Sequence, residues 1–256
     1  MADLDRTRTG AEELLRLSPD VLLADGGTRA SALLRATRAV PIVFVFAGDP
    51  VALGLVQSFA RPGGNSTGFT LNEPTIGPKL LQFLMEIAPR VRRIAVIFNP
   101  ATSPFSQQMM HLIDEAAPTF GVQVITSPVQ EPGDIEVALA RLGTDPGYGL
   151  LVPPDNYTTV HRKLVLDLSL RYRLPAAYAF RYFVADGGLI AYGVDAIDPF
   201  GRAAGYIDRI LRGEKPSDLP VQAPTKYELL LNLKTAKTLG LNVPLILQQR
   251  ADEVIE

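Results

Sequence analysis

The chain has 256 residues, of which 47% are apolar and 20% charged, with a formal net charge of −2. That composition is that of an ordinary folded chain, and its interspersed charges offer no basic stripe for a nucleic acid backbone. The absence of cysteine excludes disulfides, thiolate catalysis, iron–sulfur clusters and zinc–thiolate sites.

From residue 11 onward apolar strands alternate with amphipathic helices. The expected strands are 20–25, 42–47, 65–70, 93–98, 122–126, 149–153, 176–180, 189–194 and 221–231. The expected helices are 9–17, 28–38, 51–59, 74–88, 105–120, 133–142, 157–172, 196–212 and 233–239. Such alternation implies crossover connections and a mainly parallel sheet covered by helices on both faces. Nine strands are many for one open sheet. A break near Asn72, Glu73 and Pro74 therefore divides the chain into two α/β lobes, expected at 1–72 with 188–222 and at 73–187 with 223–256. No run of ~20 apolar residues could span a bilayer, and the first residues lack the apolar core of an export signal.

The most informative stretch is the apolar run from Ile42 to Ala47. It shows no period-two alternation, so it reads as a strand buried on both faces. Gly48, Asp49 and Pro50 then turn the chain, with Asp49 placed to cap a helix and Pro50 at its first position. Gly26, Gly27 and Thr28 likewise follow a strand and open a helix, leaving backbone N–H groups free to face a carboxylate or phosphate; a plain strand-to-helix turn explains them equally well.

Asn99 with Ser103, then Asp155 with Asn156, then Gly193 with Asp195 end three further strands in polar turns. Each is weak alone, since these are routine turn residues. In a parallel sheet all carboxyl ends point one way, which gathers such turns along one edge. Asp25, Asp49, Asp155 and Asp195 could serve acid–base chemistry or an ammonium group, helix capping being the plainer role of Asp49 and Asp195. The two histidines, His111 and His161, lie in no metal-ligand spacing, and surface structure explains both. Tyr178, Phe180, Tyr182 and Phe183 form an aromatic cluster better suited to packing than to stacking on a ligand. No glycine motif for a dinucleotide or nucleoside triphosphate occurs, so no cofactor is expected.

Several stretches taken together resemble one family. Gly48 to Val51, Arg61 to Gly68, Gly187 to Gly193, Gly213 to Pro220, Leu231 to Gly240 and the closing Arg250 to Glu256 are similar to ABC-transporter substrate-binding proteins of the tryptophan- and tyrosine-binding type, in order along essentially the whole chain. The resemblance implies a type I periplasmic-binding-protein-like fold, with two doubly wound parallel-sheet lobes hinged to close on a ligand. It also implies a small polar organic ligand such as an aromatic amino acid or related carboxylate, a membrane ABC permease as partner, an extracytoplasmic location, and no catalysis. The ligand contacts it implies are Gly26, Gly27, Thr28, Gly48, Asp49 and Pro50 in the first lobe, and Asn99, Ser103, Asp155 and Asn156 in the second. Gly193 and Asp195 are added from the return strand. Family members usually carry an export signal and a strand, helix and strand ahead of the segment matching Ala2. The first lobe is therefore expected to be incomplete and prone to self-association. An enzyme using the cleft carboxylates and a cytosolic sensory module are the alternatives.

Overall fold

The computed structural model describes residues 2–71, 73–103, 106–143, 145 and 147–256. The chain forms two compact units, Met1–Glu73 with Ala196–Lys226 and Pro74–Asp195 with Tyr227–Glu256. Two sequence expectations, the break at Asn72 and a helix starting at Phe105, touch residues outside those described.

In chain order the first unit holds α1 (Ala2–Arg16), β1 (Leu22–Asp25), α2 (Gly27–Ala36), β2 (Ile42–Ala47) and β3 (Ser66–Thr70). The second unit follows with α3 (Ile76–Ile87), β4 (Arg93–Phe98), α4 (Ser106–Phe120), β5 (Gln123–Pro128), α5 (Pro132–Leu142) and β6 (Tyr148–Val152). It continues through α6 (Asn156–Val160), α7 (Arg162–Arg171), β7 (Ala176–Tyr178), α8 (Arg181–Ala185) and β8 (Ile190–Val194). Helix α9 (Asp198–Leu211) belongs to the first unit, and β9 (Tyr227–Asn232), α10 (Leu233–Leu239), α11 (Leu245–Arg250) and β10 (Glu253–Ile255) to the second.

The first unit is built on a three-stranded parallel sheet in the order β1-β2-β3. Strand β2 is central, and Ile42, Val43, Phe44 and Val45 are wholly buried. Its two faces enter different clusters: Ile42, Phe44 and Ala47 pack with Leu33 and Leu34 of α2, whereas Val43 and Val45 pack with Ala203, Tyr206 and Ile210 of α9. Burial on both faces is why the run lacks alternation, and each such side chain contributes about 1.5–3 kcal/mol of transfer free energy. Gln222 extends the sheet beside β3, because Thr70 N–H donates to Gln222 O (2.9 Å) and Gln222 N–H to Gly68 O (3.0 Å).

The second unit has a seven-stranded sheet in the order β10-β9-β8-β7-β6-β4-β5. Every pair is parallel except β8 with β9. Ile94, Ala95, Val96 and Ile97 of β4 are wholly buried, and so are Leu80, Leu81 and Leu84 of α3.

The structure departs from the expected elements at several points. Residues 51–59 form turns, not a helix. Asp49 does cap the first N–H groups, but Gly54 at φ 66° reverses the chain after one turn. The expected helix 157–172 divides at His161 into α6 and α7. The expected strand 221–231 is regular only over β9, since Pro220 and Pro224 lack the N–H a ladder needs. Segments α8, α11 and β10 are too short to leave a periodic signal. The expected lobe boundary also shifts: residues 188–195 belong to the second unit, because Ile190 and Ala191 pair with Ala177 and Tyr178 of β7.

Candidate functional site

Within the first unit, the carboxyl ends of β1 and β2 bring two turns together. Gly26 adopts φ 88° and ψ 151°, a conformation open only to glycine, and α2 starts at Gly27 with no side-chain cap. Its first N–H groups therefore point away from the helix body without a side-chain acceptor, the condition under which a helix terminus attracts an anion. A Cβ on Gly27 would lie 2.5 Å from Leu53 Cδ1, the end of a flexible side chain, and 3.9 Å from Gly48 N, so the start of α2 lies in van der Waals reach of the Gly48 turn.

Asp49 stands in the second of these turns. Its Oδ1 accepts from the N–H groups of Val51 and Ala52, both at 3.0 Å, while Oδ2 makes no hydrogen bond among the described residues. Pro50 is buried and shapes the turn, and its carbonyl accepts from Leu55 N–H at 2.8 Å. The turn is anchored to the neighbouring strand by Thr70, whose hydroxyl donates to Gly48 O. The first unit thus places anion-accepting N–H groups beside a carboxylate with one open oxygen.

In the second unit, Asp155 follows β6, buried at 5% exposure. Its two oxygens accept from four donors: the N–H groups of Asn99 (3.1 Å), Tyr157 (3.2 Å) and Thr158 (3.1 Å), and the hydroxyl of Thr102. Ser103 adds a bond to Pro154 O at 3.3 Å. These bonds fasten the turn after β4 to the turn after β6 through Asp155 and Ser103, both offered by the sequence as ligand contacts. Thr102 had not been singled out, and only its place in an Asn-x-x-Thr turn hinted at it.

Asn99 keeps an open group. Its Oδ1 caps the following turn through Ala101 N–H (2.8 Å), leaving Nδ2 without a partner among the described residues. Asn156 is exposed at the start of α6. Asp195 is buried at the end of the second unit's first segment. Gly193 has a packing role instead: a Cβ there would collide with the carbonyl oxygen of Ala179, where the chain leaving β7 presses on β8.

The remaining candidates resolve into structure. Tyr178 and Phe183 stack with ring centroids 4.8 Å apart, both wholly buried, and burial raises the Tyr178 hydroxyl far above its usual range. Tyr182 stacks on Phe180 and shares a hydrogen bond with Thr159. Tyr157, next to Asn156, lies against His161, and its hydroxyl is raised first by burial and then by Asp134, Glu131 and Asp155. His111 is exposed, 3.3 Å from Glu115. Asp25 is exposed beside Arg29, which donates to the Asp25 carbonyl.

The family model described as ABC transporter substrate binding protein matches residues 2–255. The chain belongs to that family. It is the substrate-binding protein of an ABC transporter, which takes a small molecule and works with a membrane permease. It is similar to a tyrosine-binding protein of Clostridioides difficile, 27% identical over 240 residues, spanning 93% of this chain and 68% of that one. Among solved structures it is similar to the L-Trp complex of an ABC domain from Streptococcus pneumoniae, with TM-score 0.88 and 23% identity over 98% of this chain and 84% of that one. A conserved domain protein of Vibrio cholerae superposes with TM-score 0.87 at 26% identity, over 98% and 83% of the two chains. The ABC substrate-binding fold is thereby matched along nearly the whole chain. No described helix is long and apolar enough to cross a membrane.

Proposed function

We propose that this substrate-binding protein takes an amino acid, of the aromatic class or a related carboxylate, and passes it on unchanged outside the cytoplasm. The observation that carries the reading is the uncapped start of α2 packed against Gly48, beside the open oxygen of Asp49. The N–H groups of Gly27 and Thr28 receive the carboxylate, and Asp49 pairs with the ammonium group. Neutral solutes satisfy neither group, so the pairing discriminates against them. Asn99, Asn156 and Asp195 are the second unit's candidates for further polar contacts. The tyrosine-binding relative and the tryptophan-bound fold neighbour support the ligand class.

Calorimetric titration tests the assignment. Asp49→Asn keeps the turn cap but removes the charge, and is expected to weaken L-tyrosine or L-tryptophan binding about tenfold, the worth of a charge-assisted bond. Unchanged affinity would reject the pairing. Ligand recovered chemically intact after prolonged incubation is expected; turnover would overturn the assignment as a binding protein.

A second reading concerns the first unit's edge. Strand β1 pairs only with β2 among the described residues, and its outer side borders a groove of about 560 Å³ lined by Leu14, Leu17, Leu23, Glu13 and Arg29. Leu17 is 78% exposed and Leu23 47%. Unpaired strand edges and exposed leucines favour association. Because the exposed leucines and the open edge of β1 border one groove, we infer that it takes a second copy of the chain. Light scattering is expected to show a dimer that Leu17→Lys with Leu23→Lys converts to monomer. A monomer at every concentration of the unaltered chain would contradict it.

A further inference from the structure

The alternation of β2 fails at one place that its burial does not explain. Ile42, Phe44 and Ala47 belong to the α2 face of the sheet and Val43 and Val45 to the α9 face, yet Phe46 also packs on the α9 face. Two consecutive side chains therefore share one side. The cause is a break in the β2–β3 register between Phe44 and Ala47, at which Phe46 takes φ 52°. A bulge of this kind re-aims one side chain, and a non-glycine residue at positive φ is strained, so the surrounding structure must hold it.

The bulge delivers the Phe46 ring to Phe200, edge-on at 5.6 Å between centroids and with planes at 74°. Phe200 lies in the first turn of α9. That turn is at the carboxyl end of β2, because α9 runs back along the sheet to reach the parallel bridge of Gln222 with Phe69. The aromatic pair thus stands at the carboxyl end of β2, where Gly48 and Asp49 follow Phe46 two and three residues along the chain. Phe200 remains 38% exposed, an unusual position for a ring whose only task is to fill a core.

We infer that Phe46 and Phe200 form the element that recognises the ligand's ring, the strained bulge holding Phe46 in place and Phe200 presenting the accessible face. The inference rests on the amino-acid reading above and adds the residues that select for an aromatic side chain. Edge-to-face and offset-stacked pairs contribute beyond their buried area, and Phe200 can offer either to a third ring.

The test measures selectivity. Affinities of L-tyrosine, L-tryptophan, L-leucine and L-alanine are determined by calorimetry for the unaltered protein, Phe200→Leu and Phe46→Leu. Phe200→Leu, at a half-exposed position, keeps the test open if Phe46→Leu fails to fold. Loss of aromatic stacking is expected to lower affinity for the two aromatic ligands about three- to tenfold, while L-leucine and L-alanine change by less than about twofold. An equal loss for all four ligands means a structural role only and overturns the inference, as does an unchanged preference in Phe200→Leu. If the unaltered protein binds no amino acid, the amino-acid reading fails together with it. If it binds them with the aromatic preference unmoved by either variant, this inference alone fails.

Discussion

Replacing Asp155 with alanine is expected to destabilise the protein by about 3 kcal/mol, near the upper end of single-substitution effects. The carboxylate is buried and takes four hydrogen bonds, three from backbone N–H groups and one from Thr102. Its removal takes the cap from α6, worth about 1 kcal/mol, and leaves Asn99 N–H without an acceptor in a buried turn, worth a further 1–3 kcal/mol. Asp155→Asn is expected to cost less, because its Oδ1 still accepts from two of these groups. Chemical denaturation checks both. If Asp155→Ala were as stable as the parent and lost only ligand affinity, the carboxylate would be a ligand contact after all and its assignment as a fastener would fail.

Gly68→Ala should be the second severe change. Gly68 lies in β3 opposite Phe44 at φ 152°, and a Cβ there would collide with the Phe44 carbonyl oxygen and approach Phe44 N at 2.7 Å. Both neighbours are backbone atoms of the central strand, so they cannot turn aside as a side chain would. Relief requires the strands to part next to the Phe46 bulge, at an expected cost of about 3 kcal/mol or more. Thr70, two residues on, holds Gly48 through its hydroxyl, so the damage should spread to the Asp49 turn. The expected result is a lowered melting temperature together with weakened ligand binding. Gly64→Ala, with nothing within 4 Å of the added carbon, serves as the silent control. A Gly68→Ala protein as stable as that control would show that β3 tolerates displacement there.

What the sequence could and could not disclose follows the range of the interactions involved. Strand β2 was legible because both faces are buried, which leaves an unbroken apolar run whatever the neighbours are. The cap at Asp49 was legible too, since an aspartate reaching the N–H groups two and three residues on is a local event. The length of what it caps was not, because Gly54 ends the turn at a positive φ that glycine permits without requiring, so its presence alone does not say that the helix stops there. Asp155 carried the same turn signature as Asp49. Only the non-local arrival of Asn99 and Thr102 distinguishes a fastener from an open carboxylate. The pairing of β8 with β7 is non-local in the same sense, and it moved the boundary between the units. Nothing in the identity of Phe46 forecasts a positive φ, since glycine, asparagine and aspartate are the residues that ordinarily mark one. Family resemblance did reach the fold and the substrate-binding role, because its motifs run the length of the chain.

The central claim is that the first unit recognises both charged ends of an amino acid, the carboxylate at the start of α2 and the ammonium at Asp49. Its most direct test is one calorimetric series on the unaltered protein with L-tyrosine, tyramine, which lacks the carboxylate, and 3-(4-hydroxyphenyl)propionate, which lacks the ammonium group. The account predicts that L-tyrosine binds and that each analogue binds at least about tenfold more weakly, the loss of a charge-assisted contact. Equal affinity for all three, or binding of a neutral sugar in preference to any amino acid, would contradict it.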